Sequence, residues 1–278
     1  MSKILCPVDF SDTSLNALEY ASKIANAQGA VLIIYHVFTD KDYNKIVGEE
    51  EVSKTFKEQV SEISNKIETL ANEIRAMEEN SKMLDCYGVL EMGKLSVKLL
   101  EKVKAESISL IVMGTTGFGK SSGLGIGSNT SYILEKANIP LLCIPDGAVY
   151  NEFKILIYAT DIEEEDKIMI QNVVAFATHF SSSIKVVHIN HKYKQLESAM
   201  SNQYFQELSS FIQYNKIKYD TYNCKGDIGD CLLDYTKSLN GDLLVLFSKY
   251  KSFMENLFHK SVAKRLSLIS SKPVLILR

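Results

Sequence analysis

Leu5-Cys6-Pro7-Val8-Asp9 is a largely apolar run ending in aspartate, and Ile157-Tyr158-Ala159-Thr160-Asp161 repeats that layout 152 residues later. The same offset carries His36-Val37 onto His188-Ile189. Further along, Gly93 matches Gly226 at an offset of 133, which then holds from Ile111-Val112-Met113 to Leu244-Val245-Leu246 and from Pro140-Leu141-Leu142 to Pro273-Val274-Leu275. Landmarks recurring in one order indicate a duplicated unit. The first copy carries 19 extra residues, the difference between the offsets, between Val37 and Gly93. The turn-rich stretch Pro145–Asn151 marks the junction, giving expected domains 1–147 and 148–278.

Each copy alternates short apolar runs with helical periodicity. Ile4–Val8 has the continuous apolarity of a strand buried on both faces. Ser11 or Asp12 can cap the following helix, whose apolar stripe is Leu15, Leu18, Ala21 and Ala25 and whose stop is Gly29. From Val52 to Ile74, apolar residues recur at steps of three and four and predict a long amphipathic helix. Strands are expected at Ala30–Val37, up to Met92, at Ser109–Met113 and at Ile139–Ile144, then near 155–160, 184–189, 217–223, 242–247 and 273–277. Strand–helix alternation of this kind predicts an α/β fold: two tandem, doubly wound, Rossmann-like domains, each a five-stranded parallel sheet flanked by helices.

Composition excludes several other classes. The chain has 278 residues, 46% hydrophobic and 23% charged, with net charge −3. Disorder, a collagen-like rod or a nucleic-acid-coating protein would require high charge, a glycine period or a basic surplus. No apolar run approaches the ~18 residues of a membrane span, and the N-terminus lacks a signal-peptide layout. Five cysteines without a CxxC pattern (Cys6, Cys86, Cys143, Cys224, Cys231) predict reduced thiols in a cytoplasmic protein.

The glycines are unevenly placed. Of 14, six lie between Gly114 and Gly127, and three follow residue 150. The cluster joins a predicted strand to a predicted helix starting at Ser128, the position at which doubly wound sheets bind ligands. Glycines let backbone N–H groups approach a ligand, and a helix N-terminus adds its dipole, so the segment predicts an anion site suited to phosphate. Gly114-x4-Gly119-Lys120-Ser121 also matches the P-loop pattern. Its context does not: Ser122-Gly123-Leu124-Gly125 is a poor helix start, and the strand is the fourth of its domain.

Gly114-x2-Gly117-x9-Gly127-Ser128 resembles the nucleotide motif of the universal stress protein family, G-2x-G-9x-G-(S/T). Pro7-Val8-Asp9 is similar to that family's first strand end, His36-Val37 to its second, and Pro140–Pro145 to its last strand. The resemblance covers the whole chain as two tandem domains with an adenine-nucleotide-alpha-hydrolase-like fold. It implies ATP, with or without magnesium, in the first domain. Pro7, Val8 and Asp9 would border the nucleoside and Val37 the adenine. Met113, Gly114, Thr115 and Gly117 would line the ribose and phosphates, and Gly127, Ser128, Asn129 and Thr130 would hold the phosphate chain. Asp9 can also cap the following helix. In the second domain Gly114, Gly117 and Gly127 correspond to Phe247, Tyr250 and Lys260, leaving only Ser261. Aromatic residues at close-approach positions would fill the cleft, so no second ATP site is expected. Lys249, Lys251, Lys260, Lys264 and Arg265 make that region basic, as a solvated face or an anion contact.

No catalytic constellation stands out. GxSxG and HExxH are absent, His188 and His191 have no carboxylate-rich or cysteine partner segment, and Cys224 and Cys231 are too widely spaced for a usual metal-ligand pair. Glu163-Glu164-Glu165-Asp166 reads as charge favouring a helix start. The expected function is an ATP-binding, nucleotide-dependent stress-response regulator or sensor, with weak ATPase activity at most. Alternatives are a slow phosphoryl or adenylyl transferase, or a nucleotide-free interaction scaffold. The expected partners are an adenine nucleotide and an unidentified protein, with no nucleic acid or membrane. The resemblance further implies an intrachain pseudo-dimer that could form a homodimer.

Overall fold

In the computed structural model, residues 1–38, 56–76, 84–115, 128–191, 195–247 and 272–278 are described. The chain forms two compact units, Met1–Asp146 and Gly147–Arg278.

The N-terminal unit runs β1 (Lys3–Pro7), α1 (Asp12–Gln28), β2 (Val31–Phe38), α2 (Phe56–Ala76), β3 (Cys86–Met92), α3 (Leu95–Glu106), β4 (Leu110–Gly114), α4 (Ser128–Lys136) and β5 (Leu141–Ile144). Its strands are parallel in the order β3-β2-β1-β4-β5. From β1 the chain winds outward to β2 and β3, then returns to β4 on the other side. The carboxyl ends of β1 and β4 therefore flank the switch point. Every residue of β1 after Lys3, and all of β4 and β5, is buried. This matches their continuous apolarity.

Ser11 caps α1 by accepting the Ser14 N–H, and Gly29 closes the helix at φ 60°. Ala17, Leu18, Ala21, Ile24 and Ala25 turn inward. Helix α2 buries Ile63, Ile67 and Ile74 of the predicted stripe, and Ala71 in place of Leu70, which is only partly covered. It packs so closely that a Cβ on Gly88 of β3 would lie 2.2 Å from Ile67 Cγ2. The predicted start of that helix at Val52 lies outside the described residues.

The C-terminal unit repeats the plan with β6 (Ile155–Ala159), α5 (Asp166–Phe180), β7 (Ser183–His191), α6 (Gln195–Phe211), β8 (Ile217–Cys224), α7 (Ile228–Ser238), β9 (Leu243–Phe247) and β10 (Val274–Leu277). Its parallel order β10-β9-β6-β7-β8 is the same winding, with the switch point between β6 and β9. The edge strand β8 alternates in burial, while β9 and β10 are almost wholly covered.

One sequence expectation is corrected here. Cys6, Cys86 and Cys143 are buried and in no disulfide, but Cys224 and Cys231 form one. The turn from β8 into α7 brings their Cα atoms to 6.0 Å. An odd cysteine count carries no information about that turn.

Candidate functional site at the switch point

Past β1, the chain must leave the sheet and enter α1 within four residues. Val8 finishes the strand hydrogen bonding by donating its N–H to Tyr35 O at 2.9 Å. Its carbonyl accepts from the buried His36 ring, Nδ1 to oxygen 2.6 Å. A carbonyl only accepts, so Nδ1 carries the hydrogen and the tautomer is fixed. Asp9 Oδ1 then takes the Ser11 N–H at 3.1 Å and the Ser11 hydroxyl at 2.5 Å. Between them Phe10 adopts φ 61°, a left-handed conformation that costs a non-glycine residue roughly 1 kcal/mol or more. Its ring lies 4.9 Å from that of His36. Asp9 thus orders the turn while remaining half-buried at the sheet's carboxyl edge.

Across the switch point, β4 ends at Met113 and Gly114, both buried. Thr115 continues the ladder by donating its N–H to Ile144 O at 2.9 Å. Thr130, in the first turn of α4 and only 3% exposed, donates its hydroxyl to Gly114 O at 3.0 Å. The two ends of the glycine-rich segment are therefore clasped together. The Thr130 hydroxyl thus closes the base of the segment. Asn129 is exposed on the same turn. Gly117, Gly127, the Ser128 side chain and the P-loop-like Gly119-Lys120-Ser121 lie outside the described residues.

Pro7 is buried at the end of β1, and Val37 is the one partly open residue of β2. An otherwise covered strand thus offers apolar surface at its carboxyl end, where a flat base could stack. Pro7, Val8, Asp9, Val37, Met113, Gly114, Thr115, Asn129 and Thr130 all fall on the carboxyl ends of β1, β2 and β4 or the first turn of α4. The donors and apolar surface fit an adenine nucleotide.

The C-terminal unit keeps this backbone and changes its chemistry. Thr160 donates its N–H to Val187 O at 2.9 Å, and His188 Nδ1 lies 3.1 Å from Thr160 O, matching Val8 and His36. Ile162 takes φ 65°, as Phe10 takes 61°. Where the first unit has Ser14, the second has Asp166, 3% exposed. It accepts from the Tyr158 hydroxyl at 2.5 Å, the Thr160 hydroxyl at 2.6 Å and the Glu163 N–H at 3.1 Å. Asp161 is open to solvent on one side and crowded by protein on the others. Desolvation, then the Asp166 carboxylate, push its pKa up to about 6, against the favourable pull of His188. At β9 the counterpart of Gly114 is Phe247, partly buried at the strand end. Tyr250, Lys260, Ser261 and the basic cluster around them lie outside the described residues.

Sequence reading missed the paired left-handed turns and the Asp166 network. Left-handed Phe10 and Ile162 have no residue-type signature, and nothing in the acidic run marks Asp166 as its buried member. No group of three or more His, Cys, Asp or Glu among the described residues could hold a metal ion. None of the described helices is long and apolar enough to cross a membrane.

Comparison with known proteins agrees with the duplicated fold. A universal stress protein of Methanocaldococcus jannaschii is 26% identical over 153 residues, 51% of this chain and 93% of that protein. A second from the same organism is 30% identical over 145 residues, 51% of this chain and 81% of that protein. The crystal structure of a universal stress protein from Archaeoglobus fulgidus covers 99% of this chain and 98% of its own, with TM-score 0.68 at 16% identity, a likeness of fold. The sequence profile of the universal stress protein family matches residues 1–145 and again 152–278. The chain belongs to the universal stress protein family, as two family domains in tandem.

Proposed function

We propose that the N-terminal unit binds ATP, with or without magnesium, at the switch point between β1 and β4, and that the chain acts as a nucleotide-dependent regulator or sensor in a stress response. The Thr130–Gly114 clasp carries this reading. It holds together the ends of a segment with the spacing Gly114-x2-Gly117-x9-Gly127-Ser128, beside the Asp9 turn and the open side of Val37. Backbone N–H groups of such a segment and the α4 N-terminus suit a phosphate chain. The C-terminal unit, with Phe247 in place of Gly114, does not take ATP in this manner.

Labelled-ATP binding to the purified chain tests the site. Gly117→Val and Gly127→Val are each expected to weaken binding at least about ten-fold, or about 1.4 kcal/mol. Unchanged affinity in both would exclude the segment. A single-turnover assay tests the regulator reading: ATP is expected to be held stoichiometrically with negligible hydrolysis. Conversion of the bound ATP to product would replace it with an enzyme.

A further inference from the structure

The disulfide lies outside the proposed nucleotide site. Cys224 ends the edge strand β8, and Cys231 sits in the first turn of α7. The turn between them is already closed without sulfur: Asp227 Oδ1 accepts the Gly229 N–H at 2.7 Å, and the Cys231 N–H donates to Asp227 O at 2.9 Å. The N-terminal unit joins strand to helix at the corresponding place with no covalent link, through Gly93 at φ 142°, a conformation Gly226 does not share. There the counterparts at offset 133 are Glu91 and Lys98, and the Lys98 stem lies 3.3 Å from where a Cβ on Gly93 would be. In the C-terminal unit a Cβ on Gly226 would lie 3.5 Å from Cys231 Sγ and 3.8 Å from Cys224 Sγ. A strand-to-helix connection at this place therefore does not require a sulfur bond. A link across seven positions also closes one of the shorter rings and removes less chain entropy than a longer loop would.

Access differs between the two sulfurs. Cys231 is 1% exposed, while Cys224 is partly open and followed by three exposed residues, Lys225, Gly226 and Asp227. Gly226 places no side chain over the pair.

We propose that Cys224 and Cys231 form a reversible thiol–disulfide site that exchanges with small-molecule disulfides of the glutathione class and locks or releases the β8–α7 turn. On oxidation, the Cys224 thiolate attacks one sulfur of R–S–S–R and expels R–S⁻. Cys231 then attacks Cys224 Sγ in the mixed disulfide, forming the intrachain bond and expelling the second R–S⁻. The two cysteines lose two electrons and two protons, and the external disulfide leaves as two thiols. Reduction runs in reverse, with an external thiolate attacking the accessible Cys224 Sγ and Cys231 departing.

The test equilibrates the full chain in buffers of varied oxidised-to-reduced glutathione ratio, traps thiols by alkylation and maps peptides without reduction. Trypsin cuts after Lys225, so a bonded pair appears as linked fragments. The expected result is that both thiols convert together within the range of ratios, while buried Cys6, Cys86 and Cys143 stay unchanged. Amides 225–230 should exchange hydrogen about ten-fold faster in the reduced chain, with the rest of α7 unaffected. Cys231→Ser should leave Cys224 carrying one glutathione, and Cys224→Ser should take up none while folded. A double serine variant that melts with the reduced wild type separates these effects from misfolding. A bond persisting at every ratio until the chain denatures, a bond that never forms, exchange rates indifferent to oxidation, or glutathione uptake by Cys224→Ser would each overturn the proposal.

Discussion

Past β1 the N-terminal unit turns through Asp9 and left-handed Phe10 into α1, and past β6 the C-terminal unit turns through Asp161 and left-handed Ile162 into α5. Both turns lie under a histidine bonded to the preceding carbonyl. The backbone mould has therefore outlasted its side chains. In the first unit the turn is stabilised by short hydroxyls, Ser11 and Ser14, which leave room at the sheet edge. In the second it is stabilised by a buried carboxylate, Asp166, which gathers three donors and brings negative charge beside Asp161. On the proposed reading, phosphate is taken by the first environment and not by the second. Fold alone thus says little about which copy is loaded, and the difference rests on a few residues at the switch point.

The largest effect should come from removing the feature that sets the second unit apart. Asp166→Ala leaves the Tyr158 and Thr160 hydroxyls and the Glu163 N–H without their acceptor, and should destabilise the C-terminal unit by about 3 kcal/mol in denaturant unfolding. The corresponding Ser14→Ala should cost the N-terminal unit only about 1 kcal/mol. Equal losses would break the contrast.

The helix stops provide a smaller test. Gly29 ends α1 at φ 60°, while Ser181 ends α5 at φ 52°, 152 residues later. Ser181→Gly should stabilise by about 0.5–1 kcal/mol, and Gly29→Ser should destabilise by a similar amount. Opposite signs in thermal melts would confirm that both units keep one backbone at unequal cost.

The smallest effect is electrostatic. Asp161 titrates near 6 in the folded chain, above the ordinary value of 3.8, so the folded state binds the extra proton between those values. Its contribution is fully favourable below the unfolded value and is lost as pH rises through about 6. Asp161→Asn should therefore stabilise by about 0.5 kcal/mol at pH 7–8, after allowance for solvent screening, and change nothing near pH 3. A gain confined to low pH would contradict the crowded, acidic setting.

Much of this architecture was legible in the residues. Ser11 and Gly29 bracket α1 because capping and positive φ are local chemistry, and the stripe through Ile63, Ile67 and Ile74 is set by helical geometry alone. The duplication followed from order and spacing. What escaped reading depends on tertiary placement. Thr130 meets Gly114 across 16 positions because a sheet and a helix bring them together. Asp166 follows three glutamates in an acidic run, and nothing in that run marks it as the buried one. Cys224 and Cys231 meet because a strand and a helix share one turn, and a cysteine count cannot register that.

The central claim is an asymmetry between units of one fold, and the stoichiometry of ATP binding to the full chain tests it most directly. Calorimetric titration should give one ATP per chain, abolished by Gly127→Val. Two per chain would show that Phe247 and Tyr250 do not close the second cleft, and none would remove the nucleotide from the first.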